Sequence, residues 1–297
     1  MEAATRGKAE AALQALRRGW PFGALLAFGL GLTVVVGANL SNAQPYGARP
    51  WGWPGAASFE NGVAYVRPEL VLAVTLPCVV WGARALRRVP PGLRPFAATA
   101  GVDLAVLGCA TVVGTLLGAW GASSSPADAL WAFAVAHGLL GATFYSIGLV
   151  AAAATRRWSL AAAATAWVGF VVLLDDGIKL QLFRQAGYAN LVTGQFPSWF
   201  YLSQGLSPVA AYRALLIVWR PGFRDGLEHY VLDRAPMPGW VSPGNFAAAI
   251  VALWIAVPIA LAAAIWWWRS RRDTTEVGLA AAMQEAHQMG VVLDDEP

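Results

Sequence analysis

Phe246-Ala-Ala-Ala-Ile-Val-Ala-Leu-Trp-Ile-Ala-Val-Pro-Ile-Ala-Leu-Ala-Ala-Ala-Ile-Trp-Trp-Trp268 is followed directly by Arg269-Ser-Arg-Arg272. The stretch holds no ionisable side chain and is longer than the roughly 20 apolar residues a helix needs to cross a bilayer. A helix apolar all round would have to be wholly buried in a water-soluble protein. In a bilayer the same helix is at home. Its terminal tryptophans fall at the headgroup level and its arginines just outside it. The stretch reads as a transmembrane helix.

The rest of the chain agrees. Of its 297 residues, 57% are hydrophobic and 13% charged, and the mean hydropathy is +0.51. A soluble domain carries about 25% charged residues, and a chain of this size cannot enclose so much apolar surface in water. A soluble enzyme, a disordered chain and a nucleic-acid-binding domain are excluded as first readings. Fifteen tryptophans fit interfacial belts. The formal charge of +4 does not point to nucleic acid, because the basic residues lie beside apolar stretches and there set topology. Cys78 and Cys109 both sit inside apolar runs and read as small hydrophobes rather than a disulfide. Residues 1–20 lack a secretory pattern.

Six stretches are long and apolar enough to span: residues 22–40, 69–86, 97–120, 129–155, 159–183 and 246–268. Four basic clusters flank them. They are Arg6, Lys8, Arg17 and Arg18; Arg84, Arg87, Arg88 and Arg94; Arg156 and Arg157; and Arg269, Arg271 and Arg272. All four fall on one side if both termini are cytoplasmic. Arg49, Arg67 and five further arginines are diluted over two long external loops. The expectation is an all-α, multi-pass protein of the cell (cytoplasmic) membrane, with a six-span domain over 1–273 and a cytoplasmic tail over 274–297.

Three other segments organise the chain. Leu13, Leu16 and Trp20 recur at helical spacing beside Arg17 and Arg18, which predicts a short amphipathic helix lying on the cytoplasmic leaflet. The Pro-, Gly- and Trp-rich segment 41–68 is expected to be ordered by packing. Within the long external segment 184–244, the apolar patch 210–219 is too short to span and either lies in the interface or re-enters.

Catalysis has no local signature. His137 alone of the three histidines falls inside a span, with no second donor within a turn, and is read as bonded to a neighbouring helix. Asp175, Asp176 and Lys179 stand within salt-bridge reach on one helix and near its external end. Two readings compete: a route for substrate or protons, or a self-neutralised helix end with Lys179 reaching to water. The structural reading is favoured because the depth is shallow. Asp103 is expected to be interfacial. The spans are crowded with Ala and Gly, which let helices approach closely in lipid. The basic segment 84–96, stiffened by prolines, is either a tight turn that sets orientation or a docking element presenting Leu86, Val89 and Leu93 to a soluble partner.

Two further stretches carry a resemblance. Phe144-Tyr-Ser-Ile-Gly-Leu-Val-Ala-Ala-Ala-Ala-Thr-Arg-Arg-Trp-Ser-Leu-Ala-Ala-Ala-Ala164 and Pro197-Ser-Trp-Phe-Tyr-Leu-Ser-Gln-Gly-Leu-Ser-Pro-Val-Ala-Ala-Tyr-Arg213 resemble ABC transporter permeases of the type-2 export family. The likeness covers the second half well and the first half in topology. It implies an exporter subunit that is no enzyme itself and binds no cofactor or metal. ATP and magnesium would be held by a cytoplasmic ATP-binding subunit, and a second permease copy or paralogue would complete a dimer. It further implies an ATPase-coupling loop of Arg84, Leu86, Arg87, Arg88, Val89, Leu93 and Arg94, a secondary contact at Arg156 and Arg157, and an external cap shaped by Ser207, Pro208, Tyr212 and Arg213. The competing reading from another class is a non-transporting membrane subunit of a respiratory or oxygenase complex.

Overall fold

A computed structural model describes residues 2–42, 59, 63, 66–87, 89–90, 92–122, 124–155, 157–171, 207–219 and 243–288. Of these residues 91% are helical and none lies in a strand. The helices are α1 (Glu2–Asn42), α2 (Arg67–Ala85), α3 (Leu93–Trp120), α4 (Ala127–Ala154), α5 (Ser159–Val168), α6 (Pro208–Trp219) and α7 (Pro243–Gln288). Four stretches are long and apolar enough to cross a membrane: Gly19–Asn39, Leu93–Trp120, Ala127–Ala154 and Ala247–Arg272. In lipid only a helix or a closed barrel satisfies its own backbone, so an all-helical protein with four such helices is membrane-embedded.

The expected spans 22–40, 97–120, 129–155 and 246–268 fall on these four. The expected span 69–86 is the 19-residue α2, with Glu69 near one end and Arg84 near the other. Of the expected span 159–183, the described part is α5 and a following turn to Val171. Asp175, Asp176 and Lys179 lie outside the described residues, as do Arg88 and Arg156. The amphipathic lead-in is not a separate element, because α1 continues unbroken from Glu2 to Asn42 with Pro21 inside it. The tail expected from 274 onward likewise continues α7 as far as Gln288.

α4 is the central helix and touches α2, α3, α5, α6 and α7, while α1 packs chiefly along α3. In lipid no hydrophobic effect drives helices together, so close van der Waals fit must do it. The glycines make this possible. A Cβ on Gly82 of α2 would overlap the Tyr145 carbonyl oxygen of α4 and lie 3.0 Å from Gly148 Cα. A Cβ on Gly148 would overlap the Val79 carbonyl oxygen and lie 2.8 Å from Ala83 N. The α2 and α4 backbones therefore touch. On α3, Gly114-Thr-Leu-Leu-Gly118 spaces two small residues by four. A Cβ at Gly114 would stand 2.9 Å from the Ala27 carbonyl, and one at Gly118 2.9 Å from Val34 Cβ, both on α1.

Cross-contacts bring the basic helix ends together. Arg84 stands over the Phe22 ring, Arg269 Nη2 donates to the Ala154 carbonyl at 2.6 Å, and Gly92 N donates to Ser270 Oγ at 3.1 Å. Trp20, Trp158, Trp267 and Trp268 are exposed at this end, Trp120 and Trp131 at the other. From Ala247 to Trp268 the rise is about 32 Å, close to the thickness of a bilayer's hydrocarbon core. Of the expected loop 41–68, Phe59 and Val63 are described, and both are buried in the main core. The Phe59 ring meets Phe133 edge-on at 5.1 Å, and its N–H donates to the Ser124 carbonyl.

Candidate functional site

Two regions combine unusual chemistry with position: the basic end of the bundle, and the polar groups buried along α4.

At the basic end, the connection from α2 to α3 is a tight turn. Arg87 N donates to the Arg84 carbonyl and Val89 N to that of Leu86, and Gly92 takes the one positive φ among the described residues, 124°. Leu86, Val89 and Phe96 are turned into the bundle, whereas Leu93 is exposed. Two of the three apolar side chains expected to face a partner are thus core residues, because a connection this short keeps its apolar groups within reach of α2 and α3. Arg84, Arg87, Arg94 and Arg157 are exposed, as are Arg271 and Arg272 from α7. Arg271 and Arg272 stack on Trp267 and Trp268, 4.0 and 4.8 Å from the ring centroids. The structure brings these residues of three sequence clusters onto one face.

Along α4 lie two buried polar pairs. Tyr145 Oη donates to Asp103 Oδ2 of α3 at 2.7 Å. Asp103 is 2% exposed, so the bundle encloses it, level with Gly19 where the first apolar stretch begins. It lies ten residues into α3, about 15 Å from the helix start, and a Cβ on Gly19 would stand 3.2 Å from its Oδ1. Acids at such depth persist only with partners. Here the Tyr145 hydroxyl is one, and the stacked Phe22–Trp81 pair closes one side, with Tyr145 against Trp81.

His137 is fully buried about two turns nearer the opposite end. Its Nδ1 is 2.8 Å from the Phe133 carbonyl and its Nε2 is 2.7 Å from Tyr212 Oη. A carbonyl oxygen only accepts, so Nδ1 carries the hydrogen. The neutral ring then accepts at Nε2, and Tyr212 donates to it. The Phe133 ring covers the imidazole at 3.8 Å. The expectation that His137 bonds to a neighbouring helix is met, and the partner is Tyr212.

Tyr212 belongs to α6, and its position redefines the expected external cap. Ser207 Oγ accepts from Ala210 N at 3.1 Å, which makes Ser207 the N-cap and Pro208 the first helical residue. Val209, Tyr212 and Leu216 line one face of α6 and join the main core; Ala211 and Leu215 line another and meet α7. Tyr212 lies level with His137, and Trp219 level with Trp131, 5.2 Å away. α6 therefore runs antiparallel to α4. Its start lies about 7 Å deeper than Tyr212, level with the middle of α4. Residues 210–219 thus pack along α4 within the bundle. Ser207 and Pro208 are buried and Arg213 is half-buried. The Ser-Pro step was a legible helix start; its depth was not.

Among the described residues, no three His, Cys, Asp or Glu side chains converge. No protein-family signature and no curated protein matches the chain.

Proposed function

We propose that this chain is the membrane-spanning permease subunit of an ABC-type exporter, moving substrate across the cell membrane with energy from a separate ATPase subunit. In this reading the chain crosses six times with both termini cytoplasmic. α2 and the stretch 159–183 supply the two spans beyond the four apolar helices. The part of α1 up to Trp20, with Leu13, Leu16 and Trp20 exposed, rests at the cytoplasmic interface, and Pro21 is where the helix can bend to let it. A second permease copy or paralogue completes the transport unit.

The observation that supports the reading is the convergent basic face. Arg84, Arg87, Leu93, Arg94 and Arg157 stand exposed at one end of a bundle whose helices are keyed together backbone to backbone. A soluble motor pushing there would move whole helices rather than a loose loop. The test is co-purification of the membrane protein with a cytoplasmic ATPase encoded beside it. Leu93→Asp with Arg87→Glu and Arg94→Glu should abolish capture and stimulated ATP turnover while leaving the membrane protein folded, because interface charges without partners are strongly unfavourable. Undiminished capture by that triple variant would reject the docking face.

A further inference from the structure

Near the basic end of the bundle, the inner and outer sides of α7 differ in chemistry. Ala262 and Trp266 are buried in the main core, and Arg269 donates to the Ala154 carbonyl at 2.6 Å. At 3.6 residues per turn these three define the side of α7 that meets the bundle. Val257 and Leu261, about half exposed, lie away from it, and so do Trp267 and Trp268. Beyond the tryptophans stand Arg271 and Arg272, both exposed. Arg271 is stacked 4.0 Å from the Trp267 ring centroid and Arg272 4.8 Å from that of Trp268. The outer side of α7 therefore reads apolar, then aromatic, then cationic. From Val257 to Trp268 the rise is about 16 Å, half the thickness of a bilayer's hydrocarbon core.

That order is the order of groups along one leaflet of phospholipid: acyl chain, glycerol ester, phosphate. An acidic soluble protein would answer the arginines but would not reach Val257 and Leu261 at acyl-chain depth. A second copy of the chain, related by a two-fold axis along the membrane normal, would set Arg271 and Arg272 level with their own counterparts, cation against cation. A phospholipid answers both parts of the surface. Stacking on an indole uses the face of a guanidinium, whose N–H donors lie in its plane as a fork that fits two phosphate oxygens. The ring also restricts the arginine side chain beforehand, so less freedom is lost when a phosphate binds. Two adjacent guanidinium groups disfavour a choline headgroup, which carries its own cation, and favour a headgroup with net negative charge.

We propose that the outer side of α7 is a binding site for an anionic phospholipid, with the phosphate held by Arg271 and Arg272 over Trp267 and Trp268 and an acyl chain lying along Leu261 and Val257. The site requires only that the chain be embedded in a membrane and stands apart from the transport reading. It also divides the basic end by role. Arg84, Arg87, Arg94 and Arg157 lie where one helix gives way to the next, whereas Arg271 and Arg272 belong to the flank of a single helix.

The test is quenching of a fluorophore by bromine-labelled lipid. It uses the full-length protein with Cys78→Ala and Cys109→Ala, labelled with bimane at Ala264→Cys, an exposed position one turn before Trp268. Phosphatidylcholine vesicles carry a minor fraction of either phosphatidylglycerol or phosphatidylcholine with brominated chains. Association of the glycerol lipid relative to the choline lipid should be at least about fivefold, the gain from one arginine beside an anionic headgroup. Arg271→Gln with Arg272→Gln should bring the ratio below about twofold, and Arg87→Gln with Arg94→Gln should leave it unchanged. Trp267→Leu with Trp268→Leu, which keeps both charges, should halve it. Unaltered quenching by brominated phosphatidylcholine shows that each variant still seats the label in the bilayer. A ratio near one in the parent, or an equal fall in both arginine variants, would overturn the site in favour of no selectivity or of diffuse surface charge. Absence of quenching by either lipid would overturn it in favour of a protein covering α7. Recovery of fluorescence on adding glycerol 3-phosphate at constant ionic strength would overturn it in favour of a free phosphate ester.

Discussion

The crossing of α2 and α4 makes the sharpest quantitative prediction, because two glycines of the same helix-rich bundle should respond to alanine with opposite signs. A methyl group on Gly148 would overlap the Val79 carbonyl oxygen and stand 2.8 Å from Ala83 N and 3.0 Å from the Gly82 carbonyl carbon. None of these atoms is the tip of a flexible side chain. The helices must separate, and restoring ordinary contact distances requires about 1 Å, a gap that forfeits a quarter to a half of the dispersion well for each atom pair along the seam. Cys78, Val79, Trp81, Ala83, Tyr145 and Leu149 are all buried on that seam. Overpacking of this kind costs about 1–3 kcal/mol, and more where backbone meets backbone. Gly108 of α3 is the control, since nothing lies within 4 Å of a Cβ built there. Its replacement by alanine should stabilise by about 0.5–1 kcal/mol through the lower entropy of the unfolded helix. Thermal unfolding in detergent, followed by loss of the monodisperse chromatographic peak, reads both. At roughly 2–4 °C per kcal/mol, Gly148→Ala should melt about 5–10 °C below the parent and Gly108→Ala slightly above it. Gly82→Ala should resemble Gly148→Ala, and the double variant should cost less than the sum, because the second methyl enters a seam already parted. If Gly148→Ala melts within about a degree of Gly108→Ala, the backbone contact is not what holds α2 to α4.

Two other consequences are testable with the same assay. Tyr212→Phe keeps the ring but leaves His137 Nε2 buried without its donor, so it should lower stability by about 1–2 kcal/mol; an unchanged melt would show that the Tyr212–His137 bond is not what holds α6. Leu86→Asp or Val89→Asp should prevent accumulation of folded protein, because each buries an unpaired charge in the core, at a cost of about 3–5 kcal/mol. Leu93→Asp one turn away should be tolerated, and equal behaviour of the three would contradict the inward placement of Leu86 and Val89.

Much of the fold was legible in advance. Whether some twenty consecutive residues can leave water depends on those residues alone, so hydropathy located the four long spans to within a few residues. The basic clusters marked the end of the bundle at which they meet. Where the reading of the sequence went astray, long-range neighbours were the reason. The sequence placed Asp103 near the start of its span but could not show its partner, because Tyr145, which donates to it, lies 42 positions later in the chain. Leu86 and Val89 looked like a docking surface because they share a short basic loop with arginines; packing against the core turned them inward.

What the sequence by itself determined is therefore the set of apolar helices, their flanking charges and the supply of glycines for close packing. These are local properties, governed by the free energy of moving each segment from water to hydrocarbon. Only the tertiary structure decided which glycines face each other, that Ser207 starts a helix level with the middle of α4, and that Tyr212 finds His137 across 75 positions of chain. In lipid every apolar face is equally content to meet an acyl chain. The choice among faces then rests on shape fit and on a few buried hydrogen bonds, and those exist only between residues that folding has brought together.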